Sequence, residues 1–326
     1  MTGDRGDGSA PGNQSRRGSS LGAFLVGALG SVTAVALLKG RPPGGADRWT
    51  RQNHAGRPVT LFEGPAYAIG AVAGALAGGA GGPAAVAGLG AAAFGALDDV
   101  AGDGSSKGLR GHLAAAGRGE LTTGAVKVLG LGATGLLSAW MVDRARERNG
   151  LVATVVGGAV IAGSANIANL LDLRPGRALK VVLLAAAPMV AGGRGSGRSE
   201  ATSGAAVAGA AAGAAISLLS EDLAGRSMLG DTGANSAGAL LGTALVARAG
   251  SRGRLLALAA VTFLTLASER VSFTKVIEST PGLRELDALG RPPRVSPDLP
   301  PPVSPLSPPR VSPVAPPWAS CVSPPT

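Results

Sequence analysis

From Gly64 to Leu97 the chain runs for 34 residues without one charged side chain. A helix crossing hydrocarbon takes about 20 residues, so this run is too long for a single pass. It is interrupted at Gly78-Gly79-Ala80-Gly81-Gly82-Pro83, and glycine with proline punctuates helices. The run is therefore read as two short spans joined by a turn. Uncharged blocks recur at Leu21–Leu38, Val128–Val142, Asn149–Leu171, Val181–Gly193, Ala201–Ser220, Thr232–Ala247 and Leu255–Ser268. Basic side chains beside the shorter blocks can snorkel and extend them. Together the blocks predict about nine transmembrane helices. The expected fold class is all-α, a polytopic membrane helix bundle. Residues 1–20 read as a disordered polar tail, 21–290 as the membrane domain and 291–326 as a disordered Pro/Ser-rich tail.

Composition supports this class. Charged residues are only 15% of the chain and glycine contributes 53 residues. Small residues let helix backbones approach closely, which is how membrane helices pack. An Ala-rich soluble fold is the competing reading. The single cysteine, Cys321, excludes an intrachain disulfide framework and a multi-cysteine metal centre. The net charge of +10 invites a nucleic-acid reading, but the basic residues stand between apolar blocks, as loops beside membrane spans do. No nucleic-acid partner is expected. The last segment holds 14 of the 23 prolines and repeats Val-Ser-Pro at 295, 303, 311 and 322. Such a segment predicts an extended polyproline-like tail.

Spans alternate in direction, so every second loop shares a face. One face collects 18 of the 30 Lys/Arg and 15 of the 20 acidic residues. The excess of Lys/Arg makes that face cytoplasmic. Lys127 falls inside a span and belongs to neither set.

Three motifs on this face carry chemistry. Leu97-Asp98-Asp99-Val100 closes the third span, with Lys107 and Arg110 in the loop behind it. Neighbouring helix residues point about 100° apart, so one carboxylate can face a metal or nucleophile while the other orients it. An Asp pair also ends many spans without chemistry. Asn166 and Asn169 share a helix face ahead of Asp172. Their amides suit a nucleobase or sugar edge, and equally an interhelical hydrogen bond. Gly230-Asp231-Thr232-Gly233 presents Asp231 at the start of a span. There it reads either as a helix cap or as a metal ligand.

The order of these motifs resembles the polyprenyl-phosphate N-acetylhexosamine-1-phosphate transferase superfamily. That group includes the phospho-N-acetylmuramoyl-pentapeptide transferase and the undecaprenyl-phosphate N-acetylglucosamine-1-phosphate transferases. The resemblance covers roughly residues 21–290. It implies an integral enzyme of the bacterial plasma membrane serving cell-envelope glycan synthesis. A sugar-1-phosphate would move from a UDP-sugar to a polyprenyl phosphate with Mg²⁺ as cofactor. It also implies catalytic roles for Asp98, Asp99 and Asp231, with Asp231 and Asp98 as metal ligands. Lys107, Arg110, Asn166, Asn169 and Asp172 would bind substrate, and Arg174 would add positive charge near phosphate. A homodimer is the oligomeric state carried with this expectation.

Two positions depart from the family pattern. Leu173-Arg174-Pro175 stands where a second acidic residue usually follows the Asn motif, and no histidine occurs after His112. A non-catalytic relative that binds a prenyl-phosphate lipid or an envelope partner is therefore the alternative expectation. A small-solute transporter is a third, without an inverted repeat to support it. Gly130-x-Gly-x-x-Gly135 matches a dinucleotide pattern but lies inside an apolar span with no strand before it, so it reads as helix packing. The P-loop-like Gly192–Ser199 and Arg5-Gly6-Asp7 likewise lack structural context.

Overall fold

A computed structural model describes residues 19–52, 56, 58–101, 123–147, 150–192 and 199–292. Lys107, Arg110, His112, residues 293–326 of the Pro-rich tail and the first 18 residues lie outside the described residues.

Among the described residues, nine long helices follow the nine uncharged blocks. They are α1 (Ser19–Gly40), α2 (Glu63–Ala77), α3 (Gly81–Ala101), α4 (Thr123–Arg144), α5 (Leu151–Leu171), α6 (Arg177–Ala191), α7 (Ser199–Leu223), α8 (Gly230–Arg248) and α9 (Ser251–Ser268). Five of them, α1, α3, α4, α5 and α7, contain segments long and apolar enough to cross a membrane. A sixth pass arises if α9 and the short α10 (Phe273–Ser279), bent by 94° from it, count as one. These segments make the chain a multi-pass membrane protein. The difference from nine has two physical sources. Helices α2 and α6 have 15 residues each, about 22 Å at 1.5 Å per residue, short of a hydrocarbon core of roughly 30 Å. Helix α8 is long enough but carries Thr232, Asn235, Ser236 and Thr243, all buried. It needs no apolar surface because protein rather than lipid surrounds it.

Helix α8 is the axis of the bundle, packed against α2, α3, α5 and α7. Helix α1 lies on α2 and α7, α4 bridges α3 and α5, and α9 lies on α5. The core is built from alanine with few large side chains, among them Tyr67, Ile161, Leu179 and Leu240. Close backbone approach replaces bulk: a Cβ on Gly30 of α1 would sit 3.0 Å from Gly70 Cα of α2. In α4, Gly130 faces the Phe94 ring and Gly135 faces the backbone of Gly158. Two of the three glycines of the dinucleotide-like pattern thus serve helix packing, while a Cβ on Gly132 would meet nothing within 4 Å. Large apolar side chains such as Leu29, Trp140, Leu256 and Phe263 point outward.

Two segments read as loops in sequence are structured. Between α1 and α2 a short antiparallel hairpin pairs β1 (Thr50–Gln52) with β2 (Pro58–Thr60). It docks on the α7–α8 loop, where Thr60 N donates to Arg226 O at 3.2 Å and Met228 N donates to Thr60 O at 3.0 Å. After α9, α10 and α11 (Leu283–Ala288) fold back over the α5–α6 junction. Asp287 of α11 receives Arg177 Nε at 2.7 Å and both Arg291 terminal nitrogens at 2.9 Å, while Arg291 Nε donates to Pro175 O at 2.7 Å.

Candidate active site

Asp98 and Asp99 end α3, Lys127 lies in the second turn of α4, Asn166 and Asn169 lie in the last turns of α5, and Asp231 opens α8. All six line one cavity of about 790 Å³. Arg51 of the hairpin and Thr265, Ser268 and Glu269 at the end of α9 complete its polar wall. Val128, Leu131, Ala162 and Leu170 form an apolar wall beside it. The cavity thus joins a charged floor to hydrocarbon-like sides. Residues up to 133 positions apart meet because α3, α5 and α9 end where α4 and α8 begin.

The two carboxylates of the Asp pair do different things. Asp99 caps α8: its Oδ1 accepts from Asp231 N at 3.0 Å, and its Oδ2 accepts from Thr232 N at 2.9 Å and Thr232 Oγ1 at 2.6 Å. A helix N-terminus leaves such N–H groups without intrahelical partners and favours an anion there. Gly230 makes the approach fit. It adopts φ +59°, and a Cβ there would lie 3.0 Å from both Asp99 oxygens. Gly95, one turn earlier in α3, is equally constrained, since a Cβ would run into the Asp231 carbonyl. Asp99 therefore holds Asp231 in place through the first turn of α8. The Asp99 carbonyl also accepts Arg51 Nη2 at 2.7 Å, which holds the hairpin over the cavity.

Asp98 and Asp231 are left to face the cavity, and one cation joins them. Lys127 Nζ lies 3.2 Å from Asp98 Oδ2 and also pairs with Asp231 Oδ2. The lysine side chain is only 12% exposed. Sequence reasoning set Lys127 aside as a charge inside a span. Its one signal was position: a lone cation at the start of an apolar block, one turn from the face that carries the motifs.

The remaining expected residues separate. Asn166 Nδ2 donates to Thr265 Oγ1 at 3.3 Å, so it ties α5 to α9 while lining the cavity. Asn169 lines the cavity too. Asp172 does not. It caps α5 behind Asp231, half-buried beside Asp222 and the fully buried Glu63. Burial first, then the charges of Asp222, Asp231 and Asp99, push its carboxyl well above the usual carboxylate range, against the N–H of Gly230. Arg174 pairs with Glu278 at 3.0 Å, tying the α5–α6 junction to the strap formed by α10 and α11. Glu63 and the Glu221-Asp222 pair had no distinguishing sequence signal, because acidic residues at span ends are ordinary.

No protein-family model matches the chain, and no curated protein matches it.

Proposed function

We propose that the chain is a phosphoglycosyl transferase, moving a sugar-1-phosphate from a UDP-sugar to a polyprenyl phosphate at the cytoplasmic face of a bacterial plasma membrane. The product class serves cell-envelope glycan synthesis. In this reading all nine long helices are passes, the short α2 and α6 being extended by flanking polar residues and α8 being shielded by its neighbours.

One observation carries the reading. Asp98, Asp231, Lys127 and Asn169 share a cavity whose flank is apolar. A lipid with a phosphate head and a hydrocarbon chain needs both surfaces at once. A lipid-phosphate oxygen would attack the β-phosphorus of the UDP-sugar, and the bond from that phosphorus to the UMP oxygen would break. Asp98 would orient the lipid phosphate or take its remaining proton. With a second pKa of about 6 the phosphate is largely ionised near neutral pH, so positioning and charge matter more than the base. Lys127 and Arg51 would offset phosphate charge. Asn166 and Asn169 would meet the nucleoside edge.

The donor set fits Mg²⁺. Asp98 and Asp231 already converge on one cation, and Mg²⁺ commonly takes one or two carboxylates with water and phosphate oxygens. Among the described residues no third acidic, His or Cys group joins them. Bound there, the ion would neutralise diphosphate charge.

The test is to incubate the purified protein with Mg²⁺, undecaprenyl phosphate and a panel of UDP-sugars, and to follow UMP. Release from at least one donor is expected. No release from any would end the reading.

One observation favours the second reading, a non-catalytic binder of prenyl-phosphate lipid or of an envelope partner. Where the family pattern has a further acidic residue, Arg174 and Pro175 serve as anchors for Glu278 and Arg291. Binding of undecaprenyl phosphate without UMP release would favour it.

A further inference from the structure

We infer that Lys127 is a resident counter-ion standing where a divalent cation would stand, so that metal enters the site only by displacing the ammonium. The inference rests on the transferase reading for the presence of a metal, and on the geometry for everything else.

Of the carboxylates that line the cavity, Asp98 and Asp231 share a cation. Each gives an Oδ2 to the same ammonium, Asp98 at 3.2 Å. Their side chains are only 28% and 24% exposed. Two carboxylates this close and this shielded repel one another, and a cation between them relieves the repulsion. The third carboxylate of the group is not available for this task, because both Asp99 oxygens are engaged by the first turn of α8. An ammonium has three donors and no lone pair, so it cannot share a metal's coordination sphere as a ligand. It can only compete for the same oxygens. Lysine suits the role mechanically. Its compact charge sits on a flexible four-carbon stem, so it can leave the pair without moving α4.

Two consequences follow. The empty protein binds divalent metal weakly. A phosphate-bearing ligand, by offering the displaced ammonium a new partner, raises metal affinity, and the coupling is reciprocal.

The experiment counts free Mn²⁺ by its electron paramagnetic resonance signal during titration of the full chain in detergent, without nucleotide. Lys127→Met should bind Mn²⁺ about 10–100-fold more tightly than wild type, the range over which groups around metal ligands alter affinity. Lys127→Arg, which keeps the charge, should stay as weak as wild type. The double variant Lys127→Met/Asp231→Asn should lose the gain, which places the ion at this site. Lys127→Gln keeps length and polarity and serves if Lys127→Met does not fold. A Lys127→Met or Lys127→Gln protein that binds Mn²⁺ no better than wild type overturns the inference. So does a gain that survives Asp231→Asn. The two readings fail separately. Tighter Mn²⁺ binding with no UMP release from wild type leaves the counter-ion and removes the transferase. UMP release from wild type without tighter binding does the reverse.

Discussion

The carboxylate of Asp99 holds the first turn of α8 through Thr232, taking its N–H at 2.9 Å and its hydroxyl at 2.6 Å across 133 positions of sequence. Asp231 N, one residue earlier, bonds the other oxygen at 3.0 Å. The orientation of Asp231 towards Lys127 and Asp98 depends on this clamp.

Replacing Asp99 by Ala strands two N–H donors and a hydroxyl in a half-buried place. The expected loss of stability is about 1–3 kcal/mol. Asp99→Asn should cost less, because one oxygen remains to accept. Gly230→Ala should also destabilise, by about 1–2 kcal/mol, since its φ of +59° suits glycine and the new Cβ would crowd the same oxygens. Thermal melting in detergent measures all three. An Asp99→Ala protein melting with wild type would remove the clamp.

Asp231→Asn keeps size but removes the charge that pairs with Lys127, while the cap of α8 stays with Asp99. UMP release should fall by about 10²–10³-fold at saturating Mg²⁺, with an unchanged melting temperature. Asp98→Asn should lose as much or less, because an ionised lipid phosphate partly dispenses with a base. Equal turnover by wild type and Asp231→Asn would take Asp231 out of the chemistry.

Asp287 links the strap to the α5–α6 junction. Burial alone would push its carboxyl up, but hydrogen bonds and charge from Arg177 and Arg291 outweigh burial and hold it at about 2. The folded chain therefore binds this proton more weakly than the unfolded chain. The stabilisation is complete above the ordinary carboxylate pKa of about 3.9 and disappears as pH falls towards 2. After solvent screening it amounts to about 1 kcal/mol. Asp287→Asn should melt below wild type at pH 6, and the gap should close between pH 4 and 2. A gap that persists at pH 2 would show that the pairing is not its source.

At the other end of α4, Asp143 Oδ1 meets Arg254 Nη2 of α9 at 2.7 Å, each side chain 2% exposed. Breaking a buried pair leaves a bare charge, so Arg254→Met alone should cost about 3–5 kcal/mol. The double variant Asp143→Leu/Arg254→Met should recover most of that loss. Equilibrium unfolding in mixed detergent distinguishes the two. A double variant no better than the single would mean that packing, not charge, is lost.

The positions of the nine helices were legible from charge alone. Hydrocarbon excludes charges residue by residue, so the uncharged blocks mark the helices and the break at Gly78–Pro83 marks the α2–α3 turn. The pass count was less legible, because a buried axis such as α8 and a short helix such as α6 differ from lipid-facing spans only in what surrounds them. The Asp98-Asp99 pair was visible as a candidate site, yet adjacent carboxylates look equivalent in sequence. Docking of α8 assigned one to a cap and the other to the cavity.

The amino-acid order by itself determined that this is a multi-pass helical membrane protein with its acidic motifs at one end, because hydropathy, glycine spacing and helix-end polarity are local properties. Only the tertiary structure decided that Lys127 joins Asp98 to Asp231, that Asp172 stands behind the cavity and that Arg174 belongs to the strap. Each of those pairings joins residues 29 to 104 positions apart or adds a neighbour's charge to the effect of burial. Charge pairing falls off over a few ångströms, so it follows from which helix ends meet, and no local pattern records that.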